Sequence, residues 1–165
     1  MARAVHRLAL LVLPGDPDLD PARIDALIER WVEEERLKVA SHAWEPGSAP
    51  LVEGGFRRAR VERFDRVRFV SSGLGGFRVT CPDGGGSVVE AFDRAHSTWV
   101  RGGPRTLTCR CGREHDLAAL GFAPEAGFAR AWIALQEVEG LDLAAEARRG
   151  AEQILGTVHL VARRG

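Results

Sequence analysis

Hydrophobic positions follow two different patterns in the first part of the chain. Residues 6–13 carry an apolar run without alternation, which predicts a strand buried on both faces. Residues 24–32 repeat apolar side chains at helical spacing, with acids and arginines on the opposite face. Asp20 followed by Pro21 is a typical helix start. A central strand followed by an amphipathic helix is therefore predicted.

The next part of the chain changes from helical spacing to turns and alternation. Residues 41–55 are rich in proline and glycine and predict a loop, within which Trp44 has no evident packing role. Two strands are predicted at residues 56–63 and 66–71, with a turn near Phe64 and Asp65. Apolar residues alternate with arginines in both strands, so one face is expected to be core and the other basic.

The second half of the chain predicts short strands and three more helices. Phe77, Val79 and Cys81 alternate as a strand, and Ser87 with Glu90 forms a capping-box pattern that predicts a helix start at Ser87. The remaining predicted elements are a strand at residues 105–109, a helix that opens at Pro124, a helix capped by Asp142 and a strand at residues 157–161.

The order of these elements predicts an α+β fold. Strand, helix, strand, strand, then helices and a final strand resemble a ferredoxin-like β-α-β-β-α-β frame. Residues 73–115 interrupt this order and are predicted to be an insertion before the second helical layer. A chain of 165 residues fits one domain, so residues 1–165 are expected to fold as a single α+β domain.

Composition narrows the possible classes of protein. Hydrophobic residues make up 45% and charged residues 28% of the chain, as in globular proteins. The longest apolar stretch is too short to cross a bilayer and lacks the flanks of a secretory signal, so a cytoplasmic protein without membrane association is expected. Lys38 is the only lysine, and the abundance of Arg, Ala and Gly is typical of a GC-rich bacterial genome.

Three cysteines carry the most specific chemistry in the sequence. Cys109 and Cys111 are too close in sequence to pair without strain, which favours thiolate chemistry over disulfide formation. The segment from Phe77 to His115 resembles zinc ribbons, whose half-sites are turns of the form C-P-x-C-G. In the first turn, residues 81–85, Gly84 stands in the place of the second cysteine, and in the second turn Thr108 stands in the place of the first.

The resemblance implies a Zn²⁺ site with three thiolates and one further ligand. His115 is the nearest candidate for the fourth position and His96 the next. A complete set of protein ligands implies a structural site, whereas an open fourth position implies a catalytic one. The alternative is that the ribbon shape persists without metal and the thiols pack as small apolar groups.

Other catalytic motifs are incomplete. Residues 96–100 match the H-x-T-x-hydrophobic motif of two-histidine phosphoesterases, but those enzymes need two copies and the second is missing. No nucleophile with a base beside it can be assigned from the sequence.

Three hypotheses on function follow. The leading one is a non-enzymatic adaptor or regulator that binds another protein through Trp44 and Trp99, including an immunity or defence-associated role. The hypothesis ranked third is a zinc-dependent enzyme. The hypothesis ranked second is nucleic-acid binding, because residues 57–68 hold six arginines and two acids although the formal net charge of the chain is zero. The arginines proposed for that surface are Arg57, Arg58, Arg60, Arg66 and Arg68.

Overall fold

The computed structural model describes residues 8–73, 75–84 and 86–164, which contain both helices and strands. The helices are α1 (Ala22–Glu33), α2 (Val89–Val100) and α3 (Ala145–Leu155), with one 3₁₀ turn at Leu117–Ala119. The strands are β1 (Leu8–Pro14), β2 (Leu37–Ala40), β3 (Ala43–Pro46), β4 (Arg58–Val70), β5 (Arg78–Thr80), β6 (Thr106–Thr108), β7 (Glu114–Asp116), β8 (Gly121–Ala123), β9 (Gly127–Val138) and β10 (Val158–Arg164). The chain is of mixed α+β class, as the sequence predicts.

Six of the described strands form an antiparallel sheet in the order β10-β1-β9-β4-β3-β2. Helix α1 links β1 to β4 by way of β2 and β3, and β9 lies between β1 and β4 in the sheet. Helix α3 links β9 to β10, and β1 lies between them. These two split β-α-β units form the ferredoxin-like frame that the element order predicts. The predicted strand at residues 6–13 corresponds to β1, except that His6 and Arg7 lie outside the described residues.

Both faces of the sheet are buried at β1, which confirms the prediction of a central strand. Leu10 and Val12 pack with α1 and α3 in one core cluster. Leu11 and Leu13 belong to a second cluster, which contains no residue of either helix in the described part of the chain. Successive side chains of a strand point to opposite faces, so the second cluster lies on the sheet face opposite the helices.

The amphipathic helix predicted at residues 24–32 is α1, and its apolar face is almost completely buried. Ile24, Leu27 and Trp31 are at most 1% exposed. The carboxylate of Asp20 accepts a hydrogen bond from the backbone N–H of Ala22 at 2.9 Å, which satisfies one of the free donors at the start of the helix. Burial of the apolar stripe supplies most of the stability of a helix this short.

The prediction of a helix that begins at Pro124 is wrong, because residues 127–138 form strand β9. The apolar residues Phe128, Trp132 and Leu135 happen to recur at helical spacing, but Trp132 and Leu135 belong to the core clusters on opposite faces of the sheet. A central strand buried on both faces has no alternating pattern that would distinguish it from a buried helix.

Two further predictions between residues 41 and 71 are wrong. The two strands expected at residues 56–63 and 66–71 are one strand, β4, and the expected turn near Phe64 is an irregularity in its pairing with β9 between Arg63 and Arg68. The expected loop at residues 41–55 begins with β3, which pairs with β2 across a two-residue turn where His42 has φ 62°. Because these two predicted strands are a single strand, the insertion follows the second strand of the frame, β4, and precedes the third, β9.

Two helix starts also differ from their predicted caps. Helix α2 begins at Val89, and Ser87 pairs instead with Thr80 in an isolated β-bridge. Helix α3 begins at Ala145, while the Asp142 carboxylate accepts a hydrogen bond from its neighbour's N–H and pairs with Arg148 at 3.0 Å. The helices themselves are confirmed. Within the described ranges, no helix has the length and apolarity needed to cross a membrane.

Contacts divide the chain into two compact units, although a single domain is expected from its length. One unit comprises residues 1–73 and 125–165 and contains the six-stranded sheet, and the other comprises residues 74–124. The second unit begins one residue after the predicted start of the insertion and continues past its predicted end at His115 to Pro124.

Candidate metal centre

The unit at residues 74–124 is built from short elements around a small aromatic core. Strand β5 pairs with β8, and β6 pairs with β7 as a hairpin. The rings of Phe77, Phe92 and Phe122 lie 5.3 to 6.1 Å apart between centroids. Two-stranded sheets are marginal in water without further packing or cross-links. A bound metal would therefore contribute strongly to the stability of this unit.

Two turns carry the cysteines. In the first, the N–H of Cys81 donates to the carbonyl of Gly86 at 3.0 Å, next to the bridge between Thr80 and Ser87. Gly85, part of this predicted turn, lies outside the described residues. In the second, the N–H of Cys109 donates to the carbonyl of Arg113 at 3.0 Å, which closes the β6–β7 hairpin.

The two turns bring three thiols and one imidazole to a common point. One ligand atom from each of Cys81, Cys109, Cys111 and His115 lies within 4.8 Å of the other three. The sulfurs of Cys81 and Cys111 are 3.6 Å apart, and Nε2 of His115 is 3.5 Å from each of them. Tetrahedral Zn²⁺ with ordinary bond lengths separates two sulfurs by about 3.8 Å and a sulfur from a nitrogen by about 3.5 Å. These four residues could hold a metal ion of this size.

Burial and hydrogen bonding change the acidity of two of the thiols. The pKa of Cys81 is lowered to about 7, because the Cys109 thiol and the backbone N–H groups of Asp83 and Gly84 donate to its thiolate and outweigh its burial. The pKa of Cys109 is raised: the N–H of Cys111 favours its thiolate, but the neighbouring thiols and burial oppose ionisation more strongly. One ligand is thus partly ionised near neutral pH before any metal binds.

The second histidine candidate lies in a different environment. His96 is on α2, where its ring stacks on Phe92 with centroids 5.6 Å apart and approaches Trp99 at 5.7 Å. It does not belong to the metal-ligand group found among the described residues.

Comparisons with protein-family models, with curated proteins and with solved structures returned no match to this chain.

The two tryptophans proposed to contact a partner occupy different surfaces. Trp44 lies on β3 and packs partly against the main core, directly across from Val39 of β2. Val39 is 69% exposed, and β2 is the last strand of the sheet. Trp99 is partly buried near the end of α2, next to Val100, which is 55% exposed.

Three of the five arginines proposed for nucleic acid are brought together. Arg57, Arg58 and Arg60 line one concave pocket at the start of β4. Arg66 is exposed further along β4, and the guanidinium of Arg68 lies 4.4 Å above the ring of Phe64. The sequence reasoning missed Arg163 and Arg164, which line the same pocket from β10. The sequence feature that could have indicated their contribution to a basic surface is that Arg163 and Arg164 are adjacent.

A carboxylate that the sequence reasoning also missed organises part of this pocket. Glu62 accepts hydrogen bonds from Nε1 of Trp132 at 2.8 Å, from Arg163 at 3.0 Å and from Arg60 at 3.2 Å. Burial alone would raise its pKa, but the bonds from Arg163 and Trp132 and the nearby positive charges outweigh burial and lower it. Glu62 is therefore ionised at neutral pH and holds the guanidinium of Arg163 over the sheet.

Proposed function

We propose that the protein is a non-enzymatic binding protein whose unit at residues 74–124 is stabilised by one structural Zn²⁺ ion. The ligands are Cys81, Cys109, Cys111 and His115. The observation that carries this proposal is the approach of their four ligand atoms to within 4.8 Å of one another. Soft thiolates and a neutral imidazole are the donor set that Zn²⁺ prefers over hard cations. The two turns correspond to the half-sites of a zinc ribbon.

A structural role is favoured over a catalytic one by the number of protein ligands. Four protein donors complete a tetrahedral shell and leave no position for a reactive water. Two of the four residues, Cys81 and Cys109, are at most 8% exposed, so the site is closed on that side. A zinc-dependent enzyme would need one of these ligands to be absent from the metal.

Zinc content tests the ligand set. Protein purified without chelator is expected to contain one Zn²⁺ per chain, and His115→Gln is expected to lower zinc affinity at least tenfold because one of four donors is lost. His96→Gln is the matched control and should retain zinc, because His96 stacks on Phe92 away from the cluster. Competition with a chromophoric chelator measures both affinities.

X-ray absorption at the zinc edge separates the structural site from the catalytic one. Three sulfurs and one nitrogen around the metal support the structural assignment. An oxygen ligand in place of the His115 nitrogen would favour the enzyme, and equal loss of zinc in both histidine variants would contradict the ligand set.

For the partner, the proposed contact is the exposed edge of the six-stranded sheet. Strand β2 ends the sheet, and its Val39 forms an apolar pair with Trp44 on β3. Unpaired backbone groups of an edge strand can pair with an extended segment of another protein, and a neighbouring tryptophan can anchor it. This surface favours Trp44 over Trp99 as the contact residue.

Two valine variants test this surface. Val39→Lys places a charge on the sheet edge. It is expected to abolish the co-purification of a partner protein when the chain is purified from its native host cells. Val100→Lys introduces the same change beside Trp99 and should leave co-purification intact. Loss of the partner only with Val100→Lys would move the contact to α2, and retention with both variants would contradict a protein contact at either tryptophan.

A further inference from the structure

A concave pocket of about 600 Å³ lies at the end of the six-stranded sheet where β4 begins and β10 ends. Its volume is in the range of small-molecule binding sites. Glu137 and Gln136 line one side of it. Most of its remaining polar lining comes from five arginines, Arg57, Arg58, Arg60, Arg163 and Arg164.

Strand order explains why arginines so distant in sequence face one another. Strands β4 and β10 are separated by β9 and β1, so their backbones are about 14 Å apart. The intervening strands contribute the small side chains Ala9 and Ala134 to the lining. In the register of the sheet, Arg163 lies beside Ala9 and Arg60 beside Ala134. Long arginine side chains from β4 and β10 can therefore converge above the small alanine side chains of β1 and β9.

The pocket carries an excess of positive charge. Glu62 is shared by Arg60 and Arg163, and Arg57 pairs with Glu137 at 3.3 Å. Arg58 and Arg164 have no ion pair with any residue in the ranges 8–73, 75–84 and 86–164. The carboxylates thus orient some of the guanidinium groups and leave others available to an anion.

We propose that this pocket binds a compact ligand with at least two phosphate groups, such as a nucleoside diphosphate. The planar guanidinium fork donates two parallel hydrogen bonds to phosphate oxygens, and several forks around one cavity match a ligand with several such oxygens. Arg58 and Arg164 supply uncompensated charge, and Arg163 is held in place by Glu62. The zinc site is not part of this assignment, since every lining residue lies in the unit that contains the six-stranded sheet.

A compact ligand is favoured over a single strand of nucleic acid. Proteins that bind single strands offer aromatic rings on which successive bases stack. No aromatic side chain lines the pocket in the described part of the chain. Trp132 is only 3% exposed, and the ring of Phe64 on the same strand as Arg60 is covered by Arg68.

Calorimetric titration of the full chain with inorganic pyrophosphate and with ADP tests the assignment. Both ligands are expected to bind, and Arg58→Gln is expected to weaken pyrophosphate binding about tenfold or more, because a charge-assisted contact is lost. The double variant R58Q/R164Q should weaken it further. Arg66→Gln changes an exposed arginine of the same strand outside the pocket and should change the affinity less than twofold.

Three outcomes would overturn the proposal. The first is the absence of binding to pyrophosphate and ADP at about 1 mM ligand and low salt. The second is equal weakening by Arg58→Gln and Arg66→Gln, which indicates non-specific attraction to charge. The third is an oligothymidine that binds more tightly than ADP and loses affinity with Arg66→Gln and Arg68→Gln, which would replace the compact ligand with a nucleic-acid strand. Amide shifts in NMR spectra of the wild-type chain provide a second measurement, and they should centre on Ala9 and Ala134.

Discussion

Removal of the proposed Zn²⁺ ion is expected to unfold residues 74–124 and to leave the unit with the six-stranded sheet folded. The smaller unit depends on two-stranded sheets and one helix, which bury too little surface to be stable alone. Structural Zn²⁺ contributes about 10–16 kcal/mol to the folding of zinc-finger peptides at neutral pH. The larger unit has its own apolar core on both sheet faces, and no member of either core cluster is a proposed zinc ligand.

Amide hydrogen exchange of the full chain tests this prediction. After chelation, protection is expected to disappear from β6 and β7 and to persist in β1 and β9. Added Zn²⁺ should restore it, whereas Mg²⁺ should not, because Mg²⁺ prefers oxygen ligands. The double variant C109S/C111S should behave as the chelated protein does. Unchanged protection of β6 and β7 in protein shown to be free of metal would contradict a structural role.

Replacement of Glu62 by glutamine is expected to destabilise the larger unit by about 1–2 kcal/mol at pH 7. Its side chain is 17% exposed and its charge is shared by Arg163 and Arg60. The amide oxygen of glutamine can still accept the hydrogen bond from Trp132, so the loss comes from the charge. Glu146→Gln is the matched control: it removes a carboxylate that is 65% exposed and pairs with Arg149, itself 66% exposed, and should cost less than about 0.5 kcal/mol.

The stability that the charge of Glu62 contributes to the folded chain should decrease at low pH. Its pKa is lower in the folded chain than its ordinary value of 4.5, so the folded state favours the ionised form. The stability from this charge is fully present above the ordinary pKa and is lost as the pH falls through the lowered value. Urea unfolding at pH 7 and at pH 3, followed by tryptophan fluorescence, should therefore give a smaller difference between wild type and Glu62→Gln in acid. An equal difference at both pH values would contradict an electrostatic origin.

The ligand set of the proposed metal centre could be predicted because its signal is local. Cys109, Cys111 and His115 lie within seven residues of sequence, and the glycine-rich turn after Cys81 is of a kind that presents a thiol. His115 and His96 remained alternatives in the sequence, since both are near the cysteines in the chain. The fold decides between their positions: β7 carries His115 into the thiol cluster, while α2 stacks His96 on an aromatic ring.

The sequence by itself determined the α+β class, the strand β1, the helix α1 and the cysteine turns, because each depends on periodicity or turn chemistry within a short window. Tertiary structure alone decided that residues 127–138 are a strand, since burial on both faces of a sheet removes the alternation that would identify one. It also decided the arginine pocket. Arg58 and Arg163 are far apart in sequence, and only the strand order β10-β1-β9-β4 sets them on either side of a floor of alanines. The element order predicts the frame, but the register that sets these particular side chains beside the alanines depends on pairing between segments far apart in sequence.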